Sequence, residues 1–324
     1  MGCGRGGRGP PRHARLPGVN DANGSPSPER GTRKPGRLDV GVIGAGRVGA
    51  VLGAALREAG HAVVGASGVS EASRSRIETL LPGVPTVDPD RVALTADLVL
   101  LTVPDDVIEE LTAGLAAVSA WRPGQIVVHC AGRFGTEVLV EAGRAGAVPL
   151  AIHPAMTFTG TSLDLSRMRD AVFAVSAPRA FLPVAQALVV EMGGEPLVIA
   201  DEDRPEYHAA LVHGGNHVVS LVTQAAALLA RIGVEEPGRV LGPLVHASVD
   251  GALRDAPGAV ATLTGPVVRG DAAAVAAHVR SLSDVPEALF AYRAMARVTA
   301  DLALAGARIG PGDYADIIAA LGVD

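Results

Sequence analysis

Two textures of apolar spacing divide the chain. From Leu38 to Ile199, short apolar runs alternate with glycine turns and amphipathic stretches; beyond Ile199 the apolar positions keep helical spacing almost to the end. LDVGVI, HAVVGAS, ADLVLLTV, GQIVVHC, GAVPLAIHP, DAVFAVSA and EPLVIA read as strands. Most are near-continuous hydrophobic runs, as in parallel strands covered on both faces. Helical stretches between them make this an α/β pattern, a doubly wound sheet of about eight strands, the later ones mixed in direction. The second part reads as all-helical. Asp203 is positioned to cap a helix with Pro205 in its first turn and apolar periodicity as far as Gly233. At about 1.5 Å per residue that helix exceeds 40 Å. Further helices are expected at about 235–254, 271–282, 285–305 and 311–321.

Composition adds a third segment. Residues 1–37 hold nine Gly, six Pro, eight Lys plus Arg and two acids, without periodicity. They read as a disordered basic tail, or as the product of an overextended start site. The expected division is therefore 1–37 as tail, 38–200 as a nucleotide-binding α/β domain and 201–324 as a helical domain. The whole chain carries −6, so without the tail's +6 the folded part stands near −12, which argues against nucleic acid as a partner. Polar or turn residues break every apolar run, so no membrane span is expected. Cys3 and Cys130 cannot build a disulfide framework and no secretory signal is visible, which points to the cytoplasm. Lys34, in the tail, is the only lysine, so no mechanism for the folded part can use one.

The strongest chemical signal is GAGRVG at 44–49, between two strands and opening a helix. Gly44 suits a tight turn, Gly46 a close backbone approach to a pyrophosphate, and Gly49 close packing of helix on strand. With Ala45, Arg47 and Val48 they form a Rossmann dinucleotide fingerprint, the phosphates resting on the helix N-terminus. An NAD site usually ends the second strand with an acid for the ribose; here Ser67 stands at the tip, Glu71 comes several positions late, and Arg74 and Arg76 follow. NADP is therefore expected, with one of those arginines, Arg74 first, on its extra phosphate. Ligands of such sheets bind beyond the strand C-termini, which adds Val103, Pro104 and His129 to the cofactor side. Asp105 or Asp106 would cap the helix after Pro104.

Hydride transfer also needs a group that stabilises or protonates the developing oxygen or nitrogen, a task that suits histidine. Pro154 holds His153 extended at a strand end. His208 begins the long helix. A rotation of about 100° per residue puts Asn216, His213, His217, Ser220, Thr223 and Gln224 on one polar seam, with His208 apart from it. His213 and His217 have the spacing of a metal pair, but the glutamate of HExxH is missing and no third ligand is evident; no metal is expected. Gly214 and Gly215 thin the helix beside Asn216.

The glycine fingerprint, Val103–Pro104, His153–Pro154, YHAA at 207–210 followed by Asn216, and LTGPVVRGD at 263–271 together resemble the Rossmann-like proteins carrying a DUF2520 C-terminal domain. That group is similar to pyrroline-5-carboxylate reductases, 6-phosphogluconate and 3-hydroxyisobutyrate dehydrogenases, ketopantoate reductases and deazaflavin-dependent NADP oxidoreductases. The resemblance implies an all-α C-terminal domain of the 6-phosphogluconate dehydrogenase type and a substrate-facing role for Asn216. It also implies that Val212 stands where relatives keep a lysine. A comparable glycine-rich turn in the pyrroline-carboxylate reductases receives the substrate carboxylate, which would give Thr264, Gly265 and Arg269 that role; alternatively Arg269 braces Asp271.

The expected function is NADP-dependent reduction of a small carbonyl or imine substrate bearing a carboxylate, in the interdomain cleft, with His208 or His153 as acid and Asn216 as orienter. The alternatives are a ketopantoate reductase-type enzyme and a dinucleotide sensor without catalysis. Ala-rich helical surfaces suggest a homodimer.

Overall fold

The structure is a computed structural model that describes residues 1–2, 36–254 and 260–322. All but the ends of the expected basic tail lies outside the described residues.

Seven strands form one sheet: β1 (Asp39–Ile43), β2 (Ala62–Ser67), β3 (Leu98–Leu101), β4 (Ile126–His129), β5 (Val148–Pro154), β6 (Val172–Ser176) and β7 (Glu195–Val198). Their order is β2-β1-β3-β4-β5-β6-β7. Every neighbouring pair is parallel except β5 and β6, where Pro154 opposes Phe173. The mixed direction of the later strands is thus present, but the sheet has seven strands rather than eight. Beyond β2 only an isolated bridge, Ala66 to Thr86, continues it, in a stretch interrupted by Pro82, Pro85 and Pro89 that cannot supply a full ladder.

The centre of the sheet is buried because its strands have no polar face: all four residues of β3 are buried, whereas the edge strand β7 is largely exposed. One face packs against α1 (Arg47–Glu58), α2 (Glu71–Leu80) and, in chain order after them, the helices that follow β5 and β6. The other face is covered by α3 (Pro89–Thr95), α4 (Ile108–Ala117) and α5 (Val140–Arg144). The short α6 (Leu163–Arg167) and the longer α7 (Leu182–Glu191) complete the first layer. α4 does not start as expected: neither Asp105 nor Asp106 caps it, because both lie in a 3-10 turn and Val107 holds the capping position. Asp105 faces Arg133 instead, at 3.4 Å.

No strand follows β7 among the described residues. α8 (Arg204–Leu211) runs through a π-turn at Val212–Asn216 into α9 (His217–Arg231). α10 (Pro237–Arg254), α11 (Ala272–Ser281), α12 (Pro286–Ala305) and α13 (Pro311–Leu321) follow. Asp271 caps α11 as expected, accepting from Ala274 N–H at 3.0 Å. Asp203 occupies the N-cap position of α8 but makes no side-chain capping bond, since a 3-10 turn at Asp201–Asp203 already leads into the helix. Val267, Val275, Ala296, Ala300 and Ile317 form a compact core between α11, α12 and α13. By contrast, α9 and α10 contain no buried residue. No described helix is long and apolar enough to cross a membrane.

Candidate functional site

The turn between β1 and α1 has the geometry that its glycines require. Gly44 adopts φ +88°, and a Cβ there would lie 2.8 Å from the Thr102 carbonyl oxygen. A Cβ on Gly49 would overlap Thr102 Oγ1, so this glycine lets α1 rest on the end of β3. Thr102 fixes that contact by donating to the Gly44 carbonyl at 2.7 Å. A Cβ on Gly46 would meet nothing nearer than 3.9 Å. It borders open space at the start of α1, where no side chain caps the helix. The first N–H groups of α1, at Arg47, Val48 and Gly49, have no intrahelical acceptor. They and the helix dipole fit a pyrophosphate here.

At the tip of β2, Ser67 is nearly buried and its carbonyl accepts from Gly44 N–H at 3.2 Å and Ala45 N–H at 2.7 Å. A cavity of ≈ 500 Å³ opens beside it, lined by Gly68, Arg74, Thr86, Asp88 and Arg91 among others. Arg74 and Arg91 come from α2 and α3, on opposite sides. Arg74 lines this cavity and Arg76 does not; the Arg76 side chain lies against Gly160 instead. Arg91 escaped the sequence reading because α3 is a short helix whose facing toward β2 no local motif reveals.

The second region lies at the C-terminal end of β5. His153 and His208 stand edge to face, ring centres 5.9 Å apart. With Met156, Thr157, Gly215 and Asn216 they wall a cavity of ≈ 390 Å³, to which α10 adds Leu253. The structure thus brings together His153, His208 and Asn216. It does so through a feature invisible to a regular helical wheel. The π-turn takes one extra residue, so Asn216 lies about 20° from His208 around the axis instead of about 80°. Gly214 and Gly215 sit within that turn. Val103, just past β3, lies against Gly44, and Pro104 follows it into the 3-10 turn at Asp105–Val107.

His153 is also bonded from behind. Its Nδ1 lies 3.0 Å from the hydroxyl of Tyr207. Burial, followed by the charges of His208, Arg204 and His129, pushes its pKa down to about 4, so its ring is neutral near pH 7. The loop after β4 presses on the same rings: a Cβ on Gly132 would overlap His208 and reach within 3.0 Å of His153 Nε2.

His129, expected beside the cofactor, has no exposed surface. Its Nδ1 accepts from Ala131 N–H at 3.2 Å and its Nε2 donates to the Gly135 carbonyl at 2.7 Å. Burial lowers its pKa to about 4, which keeps it neutral in this loop-closing role. Burial pushes the neighbouring Cys130 thiol up to about 12, so it is not a thiolate at neutral pH. Thr264 lines a separate cavity of ≈ 360 Å³ between α9, α11 and α12, where His278 and Tyr292 are paired at 2.9 Å. Arg269 is exposed and lines neither cavity; Asp271 spends its carboxylate on the α11 cap. His213 and His217 are exposed, with Nδ1 atoms 3.1 Å apart. Among the described residues no three metal-ligating side chains gather.

A second residue missed, besides Arg91, is Arg204. Its side chain is fully buried, and all its bonds go to uncharged groups: Ser176 Oγ at 2.7 Å and the carbonyls of Ala131, Ala151 and Ala174 at 3.2, 2.8 and 3.1 Å. An arginine in the first turn of a helix normally reads as solvated, and only the tertiary fold places these carbonyls, from the loop after β4 and from within β5 and β6, around it.

Residues 24–154 match the Rossmann-like domain model and residues 171–299 match the domain of unknown function DUF2520. No curated protein matches the sequence. Among solved structures, the candidate NADP oxidoreductase BF3122 from Bacteroides fragilis superposes with a TM-score of 0.70 at 23% identity, over 82% of this chain and 98% of that one. An imine reductase from Pseudomonas sp. gives 0.57 at 18% identity, over 88% and 99%. Plasmodium falciparum pyrroline carboxylate reductase with NADP bound gives 0.53 at 12% identity, over 82% and 98%. At these identities the likeness is one of fold.

Proposed function

We propose, for a chain that joins a Rossmann-like domain to a DUF2520 domain, that it is an NADP-dependent oxidoreductase reducing a small carbonyl or imine compound in the cleft between the two. The observation that carries this reading is the convergence of His153, His208 and Asn216 on one cavity at the C-terminal end of a sheet whose first turn fits a dinucleotide. A bound nicotinamide dinucleotide would supply the hydride. The residues of the chain do the rest. Arg47, Val48 and Gly49 offer backbone donors to the pyrophosphate, and Arg74 with Arg91 offers two cations to a 2′-phosphate. His208 or His153 delivers the proton, and Asn216 orients the substrate through its amide. The names of the similar folds, which include NADP, imine and pyrroline carboxylate, support a reduction of C=N or C=O. Arg269 of the same chain does not line this cavity, so a carboxylate on the substrate would be clamped by Arg269 from a second copy.

A second copy has a place to bind. α9 and α10 form a hairpin with Val219, Leu244 and Leu253 exposed, Leu253 to 74%. Such a hairpin cannot be held by helix propensity alone. We infer a cytoplasmic homodimer built on this face; sedimentation equilibrium should give twice the chain mass, and Leu244→Glu should shift it toward the monomer. A wild-type monomer contradicts this. The activity itself is tested by NADPH oxidation against pyrroline-5-carboxylate, ketopantoate and simple cyclic imines. Turnover of one is expected, and NADPH that binds without any turnover favours a dinucleotide sensor.

A further inference from the structure

His153 has two ring nitrogens, and only one can face a substrate. Nε2 lies on the side of Gly132 and His208, the side of the cavity, while Nδ1 points to Tyr207 Oη at 3.0 Å. Tyr207 stands edge-on to the imidazole, ring centres 5.7 Å apart, and does not itself line the cavity. Three residues earlier on the same helix face is Arg204, whose guanidinium bridges the loop after β4 to β5 and β6. Its planar fork satisfies several carbonyls at fixed angles, which a flexible ammonium cannot do. The first turn of α8 is therefore locked onto the sheet about one turn before Tyr207 and His208.

We propose that Tyr207 is the positioning residue of His153: its hydroxyl donates to Nδ1 and so holds the proton of the neutral ring on Nε2, facing the cavity, while Arg204 anchors the helix that puts Tyr207 there. The arrangement resolves which nitrogen of the neutral ring presents its N–H as a hydrogen-bond donor to the cavity, a choice that the partner of the other nitrogen makes. The groups around His153 agree with a neutral ring: His208 and Arg204 from α8 and His129 from β4 each oppose a positive charge on it. Burial keeps Tyr207 protonated, its pKa raised despite the opposing charge of Arg204.

This inference deepens the reductive reading of the cleft, yet its test does not need turnover. Nitrogen NMR of the histidine-labelled full chain distinguishes the two neutral tautomers of His153. In the wild type the Nε2–H form is expected to dominate at pH 7, and in Tyr207→Phe it is expected to give way to a mixture of both forms. Arg204→Lys, which keeps the charge but loses the fork, is expected to give the same mixture. A wild-type Nδ1–H tautomer, or a tautomer unchanged in Tyr207→Phe, overturns the proposal; an unchanged tautomer in Arg204→Lys overturns the anchoring part. If an assay substrate is found, Tyr207→Phe should lower kcat by about tenfold or more with NADPH affinity unchanged. Should NMR give the expected change in a protein without reductase activity, the positioning stands and the functional reading falls.

Discussion

Gly46→Asp is expected to abolish dinucleotide binding while leaving the protein as stable as before, or more so. The two effects separate because the position is open: a Cβ there meets only the Gly44 carbonyl oxygen, at a comfortable 3.9 Å, and its φ of −75° suits any residue. Aspartate is also among the best N-cap residues and favours the positive end of the helix dipole. The same carboxylate would stand where a pyrophosphate must approach. Two like unit charges about 4 Å apart cost about 4 kcal/mol at an effective dielectric of 20, which corresponds to roughly a thousandfold in affinity. Calorimetric titration with NADPH beside a thermal melt reads both effects. Retained affinity would show that the phosphates do not lie on α1, and a large loss of stability would show that Gly46 is a packing residue like Gly49.

The second large effect is expected in the cleft. Substituting His153 and His208 by alanine together should lower turnover by about 10² to 10⁴, the usual contribution of a positioned acid. NADPH affinity should stay within a few-fold, because neither ring lines the turn at Gly44–Gly49 or the cavity at Ser67. The single variants assign the donor: the one whose loss nearly matches that of the pair delivers the proton, since groups acting as a unit are not additive. Full activity in the double variant would move the chemistry elsewhere in the molecule.

Much of the fold was legible because its signals are local. Buried strands write themselves as runs such as LVLL, and GAGRVG places a turn, a helix start and a close contact within six residues. The helical boundaries after residue 235 were marked by Pro237, Asp271, Pro286 and Pro311 at helix starts. What the sequence hid depends on distant partners. The π-turn overrides the ideal wheel, so the separation of His208 from Asn216 that regular periodicity implies does not exist. Arg204 looks like a surface residue until the loop after β4 and strands β5 and β6 present their carbonyls. His129 sits at a strand end like a ligand residue, but the loop it closes covers it completely. Arg91 shares a cavity with Arg74 only because α3 packs beside β2.

Titrating the wild-type protein with NADPH and with NADH, at one ionic strength, tests the account at its centre. Tight NADPH binding and a clear preference over NADH are expected from the turn at Gly44–Gly49 and the arginine pair beside Ser67. Binding of neither nucleotide, or a preference for NADH, would contradict it.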